Sequence, residues 1–194
     1  LLYYNCNRKE IKHIISLIDG AIVVTPSQLP MFEKYQNNIQ LVTNYPLVDD
    51  VFVQNVGKKT QQTSFQICFA GGISPQWSQE IILEAICGLN DVHYTIAGLV
   101  DQGYLEKLQK NIAWDNKVSF LGFVSKEQVA DIYNNSSCGI ALLRHDTQVG
   151  IEGTLGNTKL FEYMKFGLPV ICSDLILWKE IVDKYDCGIA VNPT

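Results

Sequence analysis

From Ser64 onward, short runs of consecutive apolar residues alternate with stretches in which apolar positions recur every three or four residues. The apolar runs are "SFQICFAGG", "VHYTIAG", "KVSFLGF", "CGIALL", "LPVICS" and "CGIAVNP", and each predicts a strand. Between them, "WSQEIILEAICG" predicts a helix with Ile81, Ile82, Ala85 and Ile86 as its apolar side and Gly88 as its stop. "DQGYLEKLQK" predicts a second helix, and "SKEQVADIYNN" a third. The third opens on Ser125 with Gln128 three residues on, a capping-box pattern, and carries Val129, Ile132 and Tyr133 on one face. "NTKLFEYMKFG" and "DLILWKEIVDKY" complete the series, the latter with Trp178, Ile181, Val182 and Tyr185 at i, i+3, i+4 and i+7. Near-continuous apolar strands separated by helices predict a parallel sheet covered on both faces, a doubly wound α/β domain.

The first sixty residues follow a different plan. "RKEIKHIISLI" and "SQLPMFEKY" predict helices, and "GAIVV" and "NIQLVT" strands, the tail of another α/β unit. "NYPLVDDVFVQNVGKKTQQTS" predicts a connector, with a domain boundary near Gly57 to Thr63. The expected division is residues 1–60 and 61–194. The chain lacks an initiator Met and stops at "VNPT", as a piece of a longer protein would.

Composition narrows the classes. With 47% hydrophobic and 18% charged residues and a formal net charge of −5, the chain is an expected globular protein and a poor nucleic-acid binder. No apolar run approaches the roughly 20 residues of a membrane span. None of the six cysteines forms a C-x-x-C pair, and no His/Cys cluster has zinc spacing. Reduced thiols in a cytoplasmic protein are the expected state.

In an open parallel sheet, ligands bind beyond the carboxyl ends of the strands. Glycines crowd there: Gly71 and Gly72 after the first strand of the series, Gly122 after the third, Gly156 before the helix that follows the fourth. "AGGISP" is not the G-x-G-x-x-G dinucleotide fingerprint, which argues against a nicotinamide dehydrogenase. The long crossover "RHDTQVGIEGTLGNT" feeds a helix beginning "NTKL". At 100° per residue, Lys159 and Glu162 project about 60° apart and, on this reading, away from the core. An ammonium suits a phosphate and a carboxylate suits paired sugar hydroxyls. A solvated i, i+3 ion pair is the other reading of the same spacing.

"NTKLFEYMKFGLPVICSD" closely resembles the donor-binding signature of the group 1 glycosyltransferases, glycosyltransferase family 4, whose GT-B architecture has two Rossmann-like domains. "FAGGIS", "YTIAGLVDQGYLEKL", "VSFLGFVSKEQVADIYNNSSCGIAL" and "DGAIVVTPSQLPMFEKY" resemble further parts of the family in the same order. The resemblance implies a truncated C-terminal donor-binding domain. It implies retaining transfer from a UDP- or GDP-sugar to a glycan or lipid-linked acceptor, without a required metal. It implies a cytoplasmic setting for polysaccharide biosynthesis, with the full-length protein associated peripherally with the inner face of a membrane. By the same resemblance, Glu162 and Lys159 are the catalytic pair. Glu162 holds the ribose hydroxyls, the backbone of Gly156, Asn157, Thr158 and Lys159 the diphosphate, and Gly122, Phe123 and Val124 the base. Gly71 and Gly72 approach phosphate or acceptor.

Departures from the family pattern shape the expectation. Thr154 stands where many members have a first glutamate, with Glu152 nearby as a substitute. The segment "GGISPQWSQ" lacks the family's basic pair, so Lys159, helped by Arg144 or His145, is expected to supply the positive charge. This lack also supports a competing reading, a nucleotide-binding scaffold without catalysis. Trp77 and Trp178 are expected in packing, His93 in a structural role, and Asp174 as a helix cap.

Overall fold

The computed structural model describes residue 10 and residues 12–47, 64–146 and 150–193. The expected boundary at Gly57 to Thr63 lies outside them. The chain forms two compact units, Leu1–Tyr45 with Thr154–Thr158, and Pro46–Gly153 with Lys159–Thr194.

In the first unit, residues 12–17 are helical, and β1 (Ala21–Val23) pairs in parallel with β2 (Ile39–Leu41). The helix predicted around "SQLPMFEKY" is a 3₁₀ turn, Pro26–Gln28, running into the four-residue α1 (Leu29–Phe32). Gln28 starts this turn by accepting from the backbone N–H groups of Val24 and Thr25 at 3.1 and 3.2 Å. Thr25 is buried, and its hydroxyl accepts from the N–H of Leu155.

The second unit holds all six predicted strands in one parallel sheet: β3 (Phe65–Ala70), β4 (Val92–Ala97), β5 (Val118–Phe120), β6 (Cys138–Ala141), β7 (Val170–Ser173) and β8 (Gly188–Val191). Their order is β5-β4-β3-β6-β7-β8. This is the doubly wound order, with a reversal between β3 and β6. The helices are α2 (Gln79–Cys87), α3 (Gln102–Gln109), α4 (Trp114–Lys117), α5 (Lys126–Asn134), α6 (Lys159–Lys165) and α7 (Ile176–Tyr185). The strand residues Cys68, Phe69, Tyr94, Ile96 and Cys172 are fully buried, or nearly so, at the centre of the core.

Local chemistry explains the ends of these elements. Ser125 and Gln128 form the expected capping box of α5. Asp101 caps α3 by accepting from the N–H of Tyr104 at 3.1 Å. Three expectations need correction. The buried stripe of α2 is Gln79, Ile82, Leu83 and Ile86, while Ala85 is exposed. A polar residue can hold this i, i+3, i+4, i+7 stripe because the Tyr94 hydroxyl donates to the Gln79 side chain at 2.7 Å. In α7, Trp178 and Val182 are buried but Tyr185 is exposed, because the helix ends there in the left-handed turn of Asp186. Asp174 does not cap α7. The carbonyls of Ile151 and Glu152 accept from the N–H groups of Ile176 and Leu177 at 3.0 and 3.1 Å. α4 was not anticipated.

The sheet is most tightly constrained at its carboxyl edge. Gly98 has φ +139°, and a side chain there would overlap the carbonyl oxygen of Gly71. Gly98 also donates its N–H to the Gly122 carbonyl at 2.6 Å, and Gly71 donates to that of Ala97 at 2.9 Å. Gly98→Ala is expected to destabilise the chain by about 2 kcal/mol or more, since neither the backbone conformation nor the space admits a methyl group. Urea unfolding measures this, and an unaltered midpoint would contradict the close approach.

Candidate functional site

The turns after β3, β4 and β5 enclose a cavity of about 230 Å³. Gly71, Gly72, Gly98, Leu99, Phe123 and Val124 contribute to its wall, and Val129 of α5 closes one side. No charged side chain lines it. Glycine backbone brings peptide groups to the surface of this hollow, while Phe123 and Leu99, 76% and 68% exposed, stand at it as apolar side chains. A flat, weakly polar group bounded by backbone donors and acceptors suits such a wall.

Glu162 is not among the residues that line it, but its carboxylate acts on the Lys159 ammonium, which lies against Gly71 of the cavity wall. Tyr133 is one helical turn beyond Val129 on the same face of α5. Its hydroxyl donates to Oε2 of the half-buried Glu162 at 3.1 Å. The sequence reading placed Tyr133 only in an apolar stripe, because periodicity reports where a ring goes and says nothing of its hydroxyl.

Lys159 corrects the expectation of an outward-pointing charge. It is 8% exposed. Its ammonium donates to the Ala70 carbonyl at the end of β3 and sits 4.3 Å from the ring centre of Phe69 and 5.3 Å from that of Trp77. A helical-wheel angle describes Cβ alone, whereas a four-carbon stem can bend away from it and carry its head to a distant acceptor. A Cβ on Gly71, whose φ is +147°, would overlap this ammonium. The rings are fixed in turn: Trp77 meets Phe69 edge-on at 5.4 Å and stacks on Trp178 at 6.5 Å.

Other expected residues are placed elsewhere. Arg144 is exposed and pairs through Nε and Nη2 with both carboxylate oxygens of Asp146, at 2.9 and 2.7 Å. His145 Nε2 lies 2.7 Å from Asp174 Oδ1, close enough for an ion pair but without hydrogen-bond alignment. Both Arg144 and His145 line a different cavity, of about 390 Å³, with Ile81, Asp146 and Pro193. The Glu152 side chain is exposed. Thr154, Gly156, Asn157 and Thr158 belong to the first unit. There the Thr154 hydroxyl lies 2.8 Å from that of Thr25 and accepts from the Gly156 N–H, and the Gly156 carbonyl accepts from Asn44 Nδ2. Among the described residues, no three His, Cys, Asp or Glu side chains gather as a metal-ligating group, and no helix is long and apolar enough to cross a membrane.

The family described as group 1 glycosyl transferases matches residues 64–194, the whole of this sheet. The chain belongs to this family. Among curated proteins none matches it. The fold of this chain is that of GT-B structures. It is similar to sucrose-phosphate synthase from Thermosynechococcus elongatus, with 17% identity over 98% of this chain and 49% of that one and a TM-score of 0.64. Anabaena HepE in complex with UDP is similar at 15% identity, over 96% and 54% of the two chains, with a TM-score of 0.62. S. aureus TarM in complex with Fondaparinux, alpha-GlcNAc-glycerol and UDP is similar at 17% identity, over 87% and 33%, with a TM-score of 0.65. The chain therefore spans about a third to a half of the structures it matches.

Burial pulls the pKa of Lys159 from 10.5 to about 8, with the Glu162 carboxylate acting in the opposite direction. A lysine whose folded pKa lies below its unfolded one binds fewer protons folded than unfolded between the two values, so stability rises with pH there. From pH 8 to about 10.4 the chain is expected to gain up to about 3 kcal/mol from this residue. Urea titrations across that range check it: Lys159→Met should lack this component, and parallel pH profiles would refute it.

Proposed function

We propose that this chain is the donor-binding half of a retaining glycosyltransferase, a hexosyltransferase of glycosyltransferase family 4. It takes a UDP- or GDP-sugar and serves transfer to a glycan or lipid-linked acceptor in polysaccharide biosynthesis. The observation that carries this reading is the glycine-walled cavity at the carboxyl ends of the strands, with the Lys159 ammonium against its Gly71 and the Glu162 carboxylate acting on that ammonium. The base enters between Gly98 and Phe123, the ribose hydroxyls donate to Glu162, and the diphosphate runs along the backbone at Gly71 and Gly72. The Lys159 ammonium, directly beneath Gly71, supplies the positive charge that residues 71–79 lack. The UDP in the HepE and TarM structures supports a uridine donor. The whole protein works in the cytoplasm, at the inner face of the membrane when its acceptor is lipid-linked.

The buried, carbonyl-bound state of Lys159 favours a second reading, a nucleotide-binding scaffold that does not catalyse transfer. Transfer by the full-length protein to glycan or lipid-linked acceptors from a panel of UDP- and GDP-sugars separates the two: no transfer across the panel supports the scaffold.

Calorimetry of this chain with UDP, GDP and ADP tests the site itself. Hydrogen bonds to a charged group contribute about 1.5–3 kcal/mol, so Glu162→Ala should weaken the preferred nucleotide roughly 10- to 100-fold. Unchanged affinity in that variant would remove Glu162 from the site.

A further inference from the structure

Glutamate is a poor choice for precise recognition unless something holds it, because its side chain has three rotatable bonds whose freedom must be given up on binding. Tyr133 supplies that hold. It is 1% exposed, and its ring is gripped edge-on by Tyr163, at 5.2 Å and 74°, and by Phe166, at 5.2 Å and 72°. Tyr163 is pinned in turn. Its hydroxyl donates to the Ile140 carbonyl at 3.0 Å, and its ring fills the space where Gly139 has no side chain. A continuous path therefore runs from the backbone of β6 through two buried rings to the Oε2 atom of Glu162.

We propose that Tyr133 is a positioning residue for Glu162, and that through this bond it sets the preference of the donor site for ribose over 2′-deoxyribose. The proposal rests on the donor reading above. A carboxylate accepts hydrogen bonds and offers about four lone-pair sites, of which the phenol takes one and thereby orients the plane of the group. A vicinal diol presents two O–H donors at fixed separation and rewards an acceptor held in one orientation. A 2′-deoxyribose presents a single hydroxyl and gains little from it. Burial first, and then the Glu162 charge, push the Tyr133 phenol well above its ordinary pKa, so it remains a donor throughout the working pH range.

The test is calorimetry of the chain with UDP, GDP and their 2′-deoxy counterparts, comparing wild type, Tyr133→Phe and Glu162→Ala. Phenylalanine keeps both ring contacts, and far-UV circular dichroism with thermal melting verifies the fold. The expected result is a wild-type preference for the ribonucleotide. Tyr133→Phe should weaken ribonucleotide binding about fivefold, as loss of a roughly 1 kcal/mol orienting bond requires, and leave the deoxynucleotide within twofold. Adding Tyr133→Phe to Glu162→Ala should change nothing further. If Tyr133→Phe binds like wild type while Glu162→Ala loses affinity, the positioning role is overturned and the donor reading survives. Equal weakening of both sugar forms, with a lowered melting temperature, also overturns it, as a packing role alone. If wild type binds neither UDP nor GDP, or Glu162→Ala has no effect, the donor reading fails and the proposal with it.

Discussion

The Lys159 ammonium against the Ala70 carbonyl is the contact on which the carboxyl edge of the sheet depends. Bringing an ammonium to 8% exposure costs several kcal/mol of hydration, which must be offset locally. The carbonyl, the faces of Phe69 and Trp77 and the Glu162 charge provide part of the offset, aromatic faces attracting a desolvated cation by about 2 kcal/mol, and the lowered pKa of Lys159 reflects the remainder. The geometry then propagates. The ammonium occupies the space of any side chain at position 71, and the Gly71 carbonyl occupies that of any side chain at position 98. Two strand ends are stacked closer than side chains would allow, and the cavity wall that results is peptide rather than side chain.

That wall and the helices behind it divide the chemistry. The turns of β3, β4 and β5 shape an uncharged hollow, a cation lies beneath the glycine turn, and Tyr133 of α5 holds the Glu162 carboxylate of α6. On the proposed reading these neutral, acceptor and cationic parts take the base, ribose and diphosphate of a nucleoside diphosphate. The cavity at Arg144 and His145 is built differently, with Arg144 already paired to Asp146 and His145 beside Asp174.

Most of the sheet was legible in the sequence because strands buried on both faces leave an unbroken apolar record, as in "ICFA" and "CGIA". Helix starts were legible where a side chain does the capping, as at Ser125, and misread where backbone carbonyls do it, as at Asp174. The four-residue α4 is shorter than any period can reveal. Gln79 was missed because its partner, the Tyr94 hydroxyl, comes from another element. At the carboxyl ends of the strands, the turns at Gly71 and Gly72 and at Phe123 and Val124 could be expected from spacing, and they do line one cavity. The inward bend of Lys159 could not, since it follows from an acceptor ninety residues away in the chain, nor could the grouping of Thr154 to Thr158 with the first unit.

The cage around Lys159 also has a consequence for divergence among related chains. Positions 71, 77 and 159 share one small volume, contributed by a turn, a loop and a helix. A larger residue at 71 evicts the lysine, a smaller one at 77 strips it of its aromatic cover, and an apolar one at 159 leaves the Ala70 carbonyl without its donor. None of these changes is neutral alone. The three positions are therefore expected to change together rather than singly.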